Sequence, residues 1–347
     1  MKRKAALMRY RSWLAAVIWF LACVGSAHAW PPEVVTATFR SPADGSEQKT
    51  LLYMPPGDAP VPLLVAFHTW SNDYAQNESP YAEWCIARGW AMLHPDLRGP
   101  SNRPGAAGSD LAIADLRATI KLARKSRAID ERRIYAVGVS GGGMMTLLAV
   151  ARMPEVWAAG SAWVPVTDLV AWHAESRGRN NNYAADLERI CGGPPGGSTD
   201  IDGQYAVRSA VVVLAKEKLD IPLDINTGIH DGHTGSVPVS HGLRAFNAVA
   251  SPPDRIAETT IADMVTSRAV PAALRFSGTD RLYAARPVLM RHVSGHARIT
   301  VFDGGHEILH EAALTWLESQ AKAAPPIWDV EGHETPVLQQ TVASSGR

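Results

Sequence analysis

A chain of 347 residues with 46% hydrophobic residues can bury one large core or two smaller ones. Its 34 basic and 34 acidic residues balance, and they form no long run of one sign, so nothing in the charge pattern indicates a nucleic-acid partner. No repeat of solenoid or propeller period is present, which argues against those architectures.

The first 29 residues follow the pattern of an export signal. A basic start at residues 2–4 precedes an apolar run from Trp13 to Val24, and small residues follow up to Ala29. This pattern predicts a signal peptide cleaved after Ala29 and a secreted or periplasmic mature chain. The apolar run is too short to predict a membrane span. The alternative is lipoprotein processing at Cys23, because residues 20–23 resemble a lipobox.

Strand-like and helix-like segments alternate through the mature chain. The predicted strands are Val34–Phe39, Thr50–Met54, Pro62–Phe67, Trp90–His94, Ile134–Val137, Trp157–Trp163, Pro222–Gly228, Val288–Val293 and Arg298–Phe302. The predicted helices are Pro80–Arg88, Ser109–Arg127, Met144–Met153, Val239–Val249, Asp254–Thr266 and Glu307–Ala323. This order predicts an α/β fold with a mostly parallel central sheet and helices on both faces.

The alternation is lost between Pro165 and about Ser209. We expect this stretch to be a cap inserted into one catalytic domain spanning residues 30–323, close to the substrate. The alternative is a surface segment with no role in substrate binding. The polar tail over residues 324–347 is predicted to be loosely ordered.

The strongest chemical motif is Gly138-Val139-Ser140-Gly141-Gly142, which fits G-x-S-x-G. A predicted strand precedes it and a predicted helix follows, so it has the context of a nucleophile elbow. Such a turn strains the serine backbone and exposes the hydroxyl, which makes Ser140 the candidate nucleophile. The alternatives are a glycine-rich turn without chemistry and a phosphate cradle. No lysine follows the glycines, which argues against a nucleotide loop.

A serine nucleophile needs a base and an acid. His306 follows the last predicted strand in a glycine turn and is the candidate base. Asp231 follows the predicted strand that ends at Gly228 and is the candidate acid, with Asp303 as the alternative. Asp224 lies within or before that predicted strand, too early in the chain to be the acid. The order Ser140, Asp231, His306 is that of an α/β-hydrolase.

The oxyanion of such a reaction needs two N–H donors. One is expected from Gly141, and the other from Thr69 or Trp70 in the loop after the third predicted strand. Aromatic rings near the mouth could stack on a substrate. The predicted substrate contacts are Trp70, Trp163, Trp172 and Tyr183.

Two further residue groups leave alternatives open. His230, His233 and His241 around Asp231 suggest a metal site, but their spacing is not that of H-E-x-x-H, and we predict no metal and no cofactor. Cys85 and Cys191 remain after signal cleavage, either as a disulfide or as two buried thiols.

Together, His68-Thr69-Trp70, Pro95-Asp96-Leu97-Arg98-Gly99, the Gly138–Gly142 elbow, Asp231 and Asp303-Gly-Gly-His306 resemble the prolyl oligopeptidase-like α/β hydrolases, including the acetyl xylan esterase-like enzymes. The resemblance implies Ser140, Asp231 and His306 as the catalytic triad. Many relatives have His-Gly where this chain has His68-Thr69, and His68 is predicted to be a structural hydrogen-bonding residue.

These patterns predict a secreted serine hydrolase that cleaves carboxylic esters, on a substituted carbohydrate or a related small ester. The first alternative is a serine peptidase, as the family resemblance suggests. Only about 110 mature residues precede Ser140, and the predicted core fold uses them. A second alternative is a non-catalytic carbohydrate-binding protein on the same scaffold. The sequence does not determine the oligomeric state.

Overall fold

The computed structural model describes residues 30–179, 181–217 and 219–330. Within them, nine strands form one sheet in the order β1-β2-β4-β3-β5-β6-β7-β9-β8. The strands are β1 Val35–Arg40, β2 Glu47–Tyr53, β3 Val61–Phe67, β4 Ala91–Pro95, β5 Ile129–Val139, β6 Ala159–Trp163, β7 Leu223–Gly228, β8 Val288–Ser294 and β9 Ala297–Phe302. The predicted signal peptide, the lipobox cysteine and residues 331–347 of the predicted tail lie outside the described residues.

Ten α-helices occur in the described residues. They are α1 Ser79–Arg88, α2 Asp110–Ser126, α3 Gly141–Arg152, α4 Leu169–Ser176, α5 Tyr183–Cys191, α6 Thr199–Arg208, α7 Ala210–Leu214, α8 Ser240–Val249, α9 Glu258–Ser267 and α10 His310–Glu318. None of the helices in this part of the chain is both long and apolar enough to cross a membrane.

The middle of the sheet is parallel. Strands β4, β3, β5, β6, β7 and β9 run in one direction, while β1, β2 and β8 are antiparallel to their neighbours at the two edges. Their register aligns Phe67 with Gly138, and Gly138 with Ala162. The loops that follow these strands therefore meet at one edge of the sheet, where ligand sites of open α/β sheets form.

Both faces of the sheet are buried, as the predicted fold class requires. Along β3, Leu63, Val65 and Phe67 face one hydrophobic cluster, while Leu64 and Ala66 face the other. The predicted α/β architecture with a mostly parallel sheet is confirmed. All nine predicted strands are present, with ends that differ by a few residues, because their apolar runs bury well on both faces.

The segment between β6 and β7, called the insertion below, carries α4 to α7. The sequence predicted a cap there but none of these helices, which are short and broken by the Gly- and Pro-rich run at residues 192–197. Local caps begin two of them: Asp168 accepts from the amides of residues 170 and 171, and Ser198 from that of residue 201. Arg208 is buried and donates to the carbonyls of residues 104, 106 and 107, so the insertion packs against the domain.

A buried ion pair crosses β7 and β9. Arg298 Nε lies 2.8 Å from Asp224 Oδ1, and both side chains are buried. Arg298 also donates to the Trp328 carbonyl at 2.5 Å, which fixes the end of the described chain against the sheet. Asp224 is thus a structural residue, as its early position in the chain suggested.

Replacing Asp224 with alanine should lower the free energy of unfolding by about 3–5 kcal/mol, because the Arg298 charge stays buried without its partner. The double variant Asp224→Leu/Arg298→Met should recover much of that loss, since it removes both charges. Urea denaturation of wild type, the single variant and the double variant measures these unfolding free energies. Equal losses in the single and double variants would contradict the interpretation.

Candidate active site

The elbow at Ser140 has the strained geometry expected of a nucleophile. Strand β5 ends at Val139 and α3 begins at Gly141, with Ser140 between them at φ 60° and ψ −118°. Residues other than glycine rarely adopt such a backbone. A Cβ at Gly138 would lie 2.4 Å from the Gly142 carbonyl carbon, and one at Gly142 would lie 2.3 Å from the Phe67 carbonyl oxygen. Glycine is therefore required at both positions.

The predicted acid and base are in contact. His306 Nδ1 lies 2.6 Å from Asp231 Oδ2. Asp231 is buried, and its other oxygen accepts from the amides of Gly232 and Val237 at 2.8 and 3.1 Å. Because the carboxylate accepts the proton of Nδ1, Nε2 of His306 is left as the basic nitrogen. The imidazole is 24% exposed and can reach a substrate.

The alternative acids have other partners. Asp303 Oδ1 lies 2.9 Å from His230 Nε2 on the surface, and Asp224 pairs with Arg298. Of the three carboxylates considered from sequence, Asp231 is the one that contacts His306.

Gly235 holds a position beside this pair that the sequence analysis missed. A Cβ there would lie 2.3 Å from Asp231 Oδ1 and 2.5 Å from His306 Cβ. Only the backbone of residue 235 fits against the pair. The sequence alone does not indicate that residue 235 packs against Asp231 and His306, because Gly235 lies in an ordinary Gly-rich loop.

Gly235→Ala should reduce kcat for a small ester by about 10²-fold, since displacing a catalytic pair by about 1 Å costs on that order. The matched control is Gly203→Ala in α6, where a Cβ would meet no atom within 4 Å. Both changes add one methyl group, so comparing kcat of the two folded variants isolates the crowding. Equal kcat values would show that the loop relaxes freely around residue 235.

The loop after β3 supplies one candidate oxyanion donor. The Thr69 amide donates to Gln76 Oε1 at 2.8 Å, so the structure removes Thr69 from the predicted pair. A Cβ at Gly141 would lie 2.6 Å from the Trp70 nitrogen, which places the Trp70 backbone against the start of α3. Within the described part of the chain, neither the Gly141 nor the Trp70 N–H donates a hydrogen bond. These two amides are the candidate donors.

The predicted aromatic contacts divide into two groups. Trp70 and Trp172 pack edge to face with centroids 4.9 Å apart, and Trp172 stacks on the partly exposed Tyr183 at 4.6 Å. Trp163 is fully buried beneath the site and stacks on Tyr283. Burial contradicts the predictions that Trp163 and Trp172 contact substrate, since they are 0% and 1% exposed, and Trp70 is only 2% exposed. Of the four predicted rings, Tyr183 is the partly exposed one.

His68 and His94 are buried below the oxyanion loop. The ring nitrogens of His68 lie 2.9 Å from the carbonyl oxygens of Thr69 and Asp96, which fits the predicted structural role. His94 Nδ1 donates to the Tyr74 carbonyl at 2.9 Å. Burial lowers the pKa of His94 to about 3, with a smaller contribution from His68.

Protonation of His94 should oppose folding. Its pKa is about 3 in the folded chain, against about 6.5 when unfolded. The unfolded state therefore binds the extra proton, and stability falls as pH drops below about 6.5. This residue should account for about 2 kcal/mol of the loss in unfolding free energy between pH 7 and pH 5. His94→Gln should flatten the pH dependence of urea denaturation by that amount, and an unchanged slope would contradict the prediction.

The three histidines near Asp231 point to different partners. His230, His233 and His241 contact, in that order, Asp303, the Val265 carbonyl and Glu175. Among the described residues, no group of three or more His, Cys, Asp or Glu side chains is arranged to hold a metal ion. The metal alternative therefore has no support in the geometry.

The two described cysteines are free and buried, so the disulfide alternative is not realised. Cys85 and Cys191 belong to different hydrophobic clusters. Burial raises the pKa of the Cys191 thiol to about 11 and that of the Cys85 thiol further still. Both side chains therefore act as core residues.

Comparison with known proteins agrees with this geometry. Residues 105–257, which include the elbow and the Asp231 loop, match the model of the prolyl oligopeptidase family. Acetyl xylan esterase from Paenibacillus sp. R4 is 14% identical with a TM-score of 0.57, and the match covers 84% of this chain and 86% of the esterase.

Two peptidases are also similar in fold. Oligopeptidase B from Leishmania major is 11% identical with a TM-score of 0.53, covering 82% of this chain and 35% of the peptidase. A puromycin-hydrolyzing peptidase of Mycobacterium tuberculosis is 15% identical with a TM-score of 0.51, covering 82% of this chain and 38% of the peptidase. The chain thus spans little more than a third of these longer proteins.

The fold and the elbow place the chain among the α/β hydrolases. Within that class, residues 105–257 are similar to the prolyl oligopeptidase family, which is a family of serine hydrolases. The resemblance drawn from the sequence motifs is confirmed. Its structural neighbours include both esterases and peptidases, so they do not decide which bond is cleaved.

Proposed function

We propose that this serine hydrolase cleaves carboxylic esters through a triad of Ser140, His306 and Asp231. The observation that carries the proposal is the 2.6 Å contact between His306 and the buried Asp231. The two residues lie on loops that follow adjacent parallel strands, at the edge of the sheet where β5 delivers Ser140.

The geometry supports a two-step reaction. Nε2 of His306 takes the proton of Ser140 as Oγ attacks the ester carbonyl carbon. The oxygen that becomes negative accepts from the N–H groups of Gly141 and Trp70, at the N-terminus of α3. His306 then gives its proton to the leaving alcohol oxygen, which leaves an acyl group on Ser140. Water then attacks the acyl carbon while His306 takes a proton from it. His306 returns that proton to Ser140 Oγ as the bond from Oγ to the acyl carbon breaks, which releases the acid and restores the serine.

Two features favour an ester over a peptide. The acetyl xylan esterase is matched over 86% of its own length, so nearly its whole fold has a counterpart here. Tyr183 offers a partly exposed ring on the insertion, supported by Trp172, where a sugar could stack. We therefore propose an esterified carbohydrate as the substrate class.

A serine peptidase is the second candidate. It is favoured by the family match over residues 105–257 and by the similarity in fold to oligopeptidase B. The export pattern in residues 1–29 supports the further proposal that the enzyme acts outside the cytoplasm.

Asp231→Asn should lower kcat for p-nitrophenyl acetate by about 10⁴-fold, because the amide favours the wrong histidine tautomer. Ser140→Ala should abolish the acyl-enzyme and reduce turnover at least as far. The matched control is Asp303→Asn, which alters the neighbouring carboxylate without touching His306 and should leave kcat within a few-fold of wild type.

The same proteins should be assayed on a prolyl p-nitroanilide peptide. Ser140-dependent ester hydrolysis with little amide hydrolysis is expected. Faster amide than ester hydrolysis would establish the peptidase instead. Turnover that survives Ser140→Ala would refute the triad, and carbohydrate binding without turnover by wild type would favour a binding protein.

A further inference from the structure

The insertion contacts the oxyanion loop through one buried carboxylate. Trp70 Nε1 donates to Asp186 Oδ2 at 3.3 Å, and Asp186 lies in α5 of the insertion. The indole of Trp70 is 2% exposed and the Asp186 side chain 10% exposed, so water competes little for either group. Asp186 is unrelated in sequence position to the triad, and no motif marks it.

The ring of Trp70 is held on a second side as well. Trp172 of α4 packs edge-on against it at 4.9 Å, and Tyr183 stacks behind Trp172. Trp172 Nε1 donates to the Ser236 carbonyl at 2.9 Å, in the loop that also presents Asp231. The insertion is thus tied to both the oxyanion loop and the acid loop.

The position of the Trp70 ring and that of its amide are coupled. Both groups leave the same Cα, the Trp70 carbonyl is fixed by the Ser101 amide at 2.8 Å, and the backbone packs against Gly141. The Trp70 N–H itself donates no hydrogen bond within the described part of the chain, so the indole contact with Asp186 is a further restraint on its position. In an oxyanion hole, loss of one donor lowers kcat by about 10²–10³-fold.

We propose that Asp186 is a positioning residue that sets the Trp70 amide by holding the Trp70 indole. This rests on the proposed function, in which that amide stabilises the oxyanion. Asp186 does not touch the substrate; it acts through one side chain on one donor. The insertion then acts on the oxyanion hole indirectly, through the contact between Asp186 and the Trp70 indole.

The first test compares three variants with the small ester p-nitrophenyl acetate. Asp186→Ala leaves the indole N–H buried without an acceptor and should lower kcat by about 10–100-fold. KM should change by no more than about two-fold, because the oxyanion forms only in the transition state. Asp186→Asn keeps an oxygen acceptor and should stay within about three-fold of wild type.

Arg189→Ala is the matched control. Arg189 Nη1 lies 2.9 Å from the other carboxylate oxygen, Asp186 Oδ1, and its side chain is 56% exposed. Removing it takes away the ion pair while the indole contact remains, so kcat should not change.

A double-mutant cycle separates positioning from general packing. Trp70→Phe keeps the amide but removes the indole N–H, and it should lower kcat in the same direction as Asp186→Ala. In the Trp70→Phe background, Asp186→Ala should cause no further loss of kcat. If Asp186→Ala does not fold, Trp70→Phe and Asp186→Asn carry the test, and wild-type kcat in Trp70→Phe overturns the proposal.

Four other results would overturn it. They are wild-type kcat in Asp186→Ala, a rise in KM alone, equal losses in Asp186→Asn and Asp186→Ala, and additive losses in the double variant. Failure of the proposed function looks different, because wild type then shows no turnover that depends on Ser140. Ser140-dependent turnover with an unaffected Asp186→Ala would reject the positioning role alone.

Discussion

The close approach of backbone at the Ser140 turn is the constraint on which the site depends. Gly138 and Gly142 let the end of β5, the start of α3 and the end of β3 come within van der Waals contact. That contact forces Ser140 into a backbone conformation that a free chain would avoid. A sheet buried on both faces supplies the rigidity that keeps this geometry in place.

The rest of the site is assembled around that turn from separate parts of the chain. The loop after β7 provides a carboxylate whose two oxygens are both satisfied, one by His306 and one by backbone amides. The loop after β9 provides His306, the proposed base, and the loop after β3 provides the Trp70 amide, a proposed oxyanion donor. The insertion also contacts two of these loops, through Asp186 and Trp172.

The sequence predicted the order of strands and the candidate triad because both depend on local sequence patterns. Apolar runs located the strands, and the elbow motif with its partners in order made Ser140, Asp231 and His306 the candidate triad. What it could not predict depends on long-range contacts. Trp70 replaces Thr69 as the expected donor because the Thr69 amide already donates to Gln76. The burial of Trp163 depends on the layer that covers β6, and the roles of Gly235 and Asp186 depend on loops that meet only in the fold.

The most direct test of the central claim is an experimental structure of the chain after reaction with a small alkyl phosphonate ester inhibitor. We expect a phosphorus bonded to Ser140 Oγ, with the phosphonyl oxygen about 2.7–3.1 Å from the nitrogens of both Gly141 and Trp70. We also expect His306 Nε2 to face the leaving-group side. A phosphonate bonded to another residue, or an oxygen facing solvent away from both amides, would contradict it.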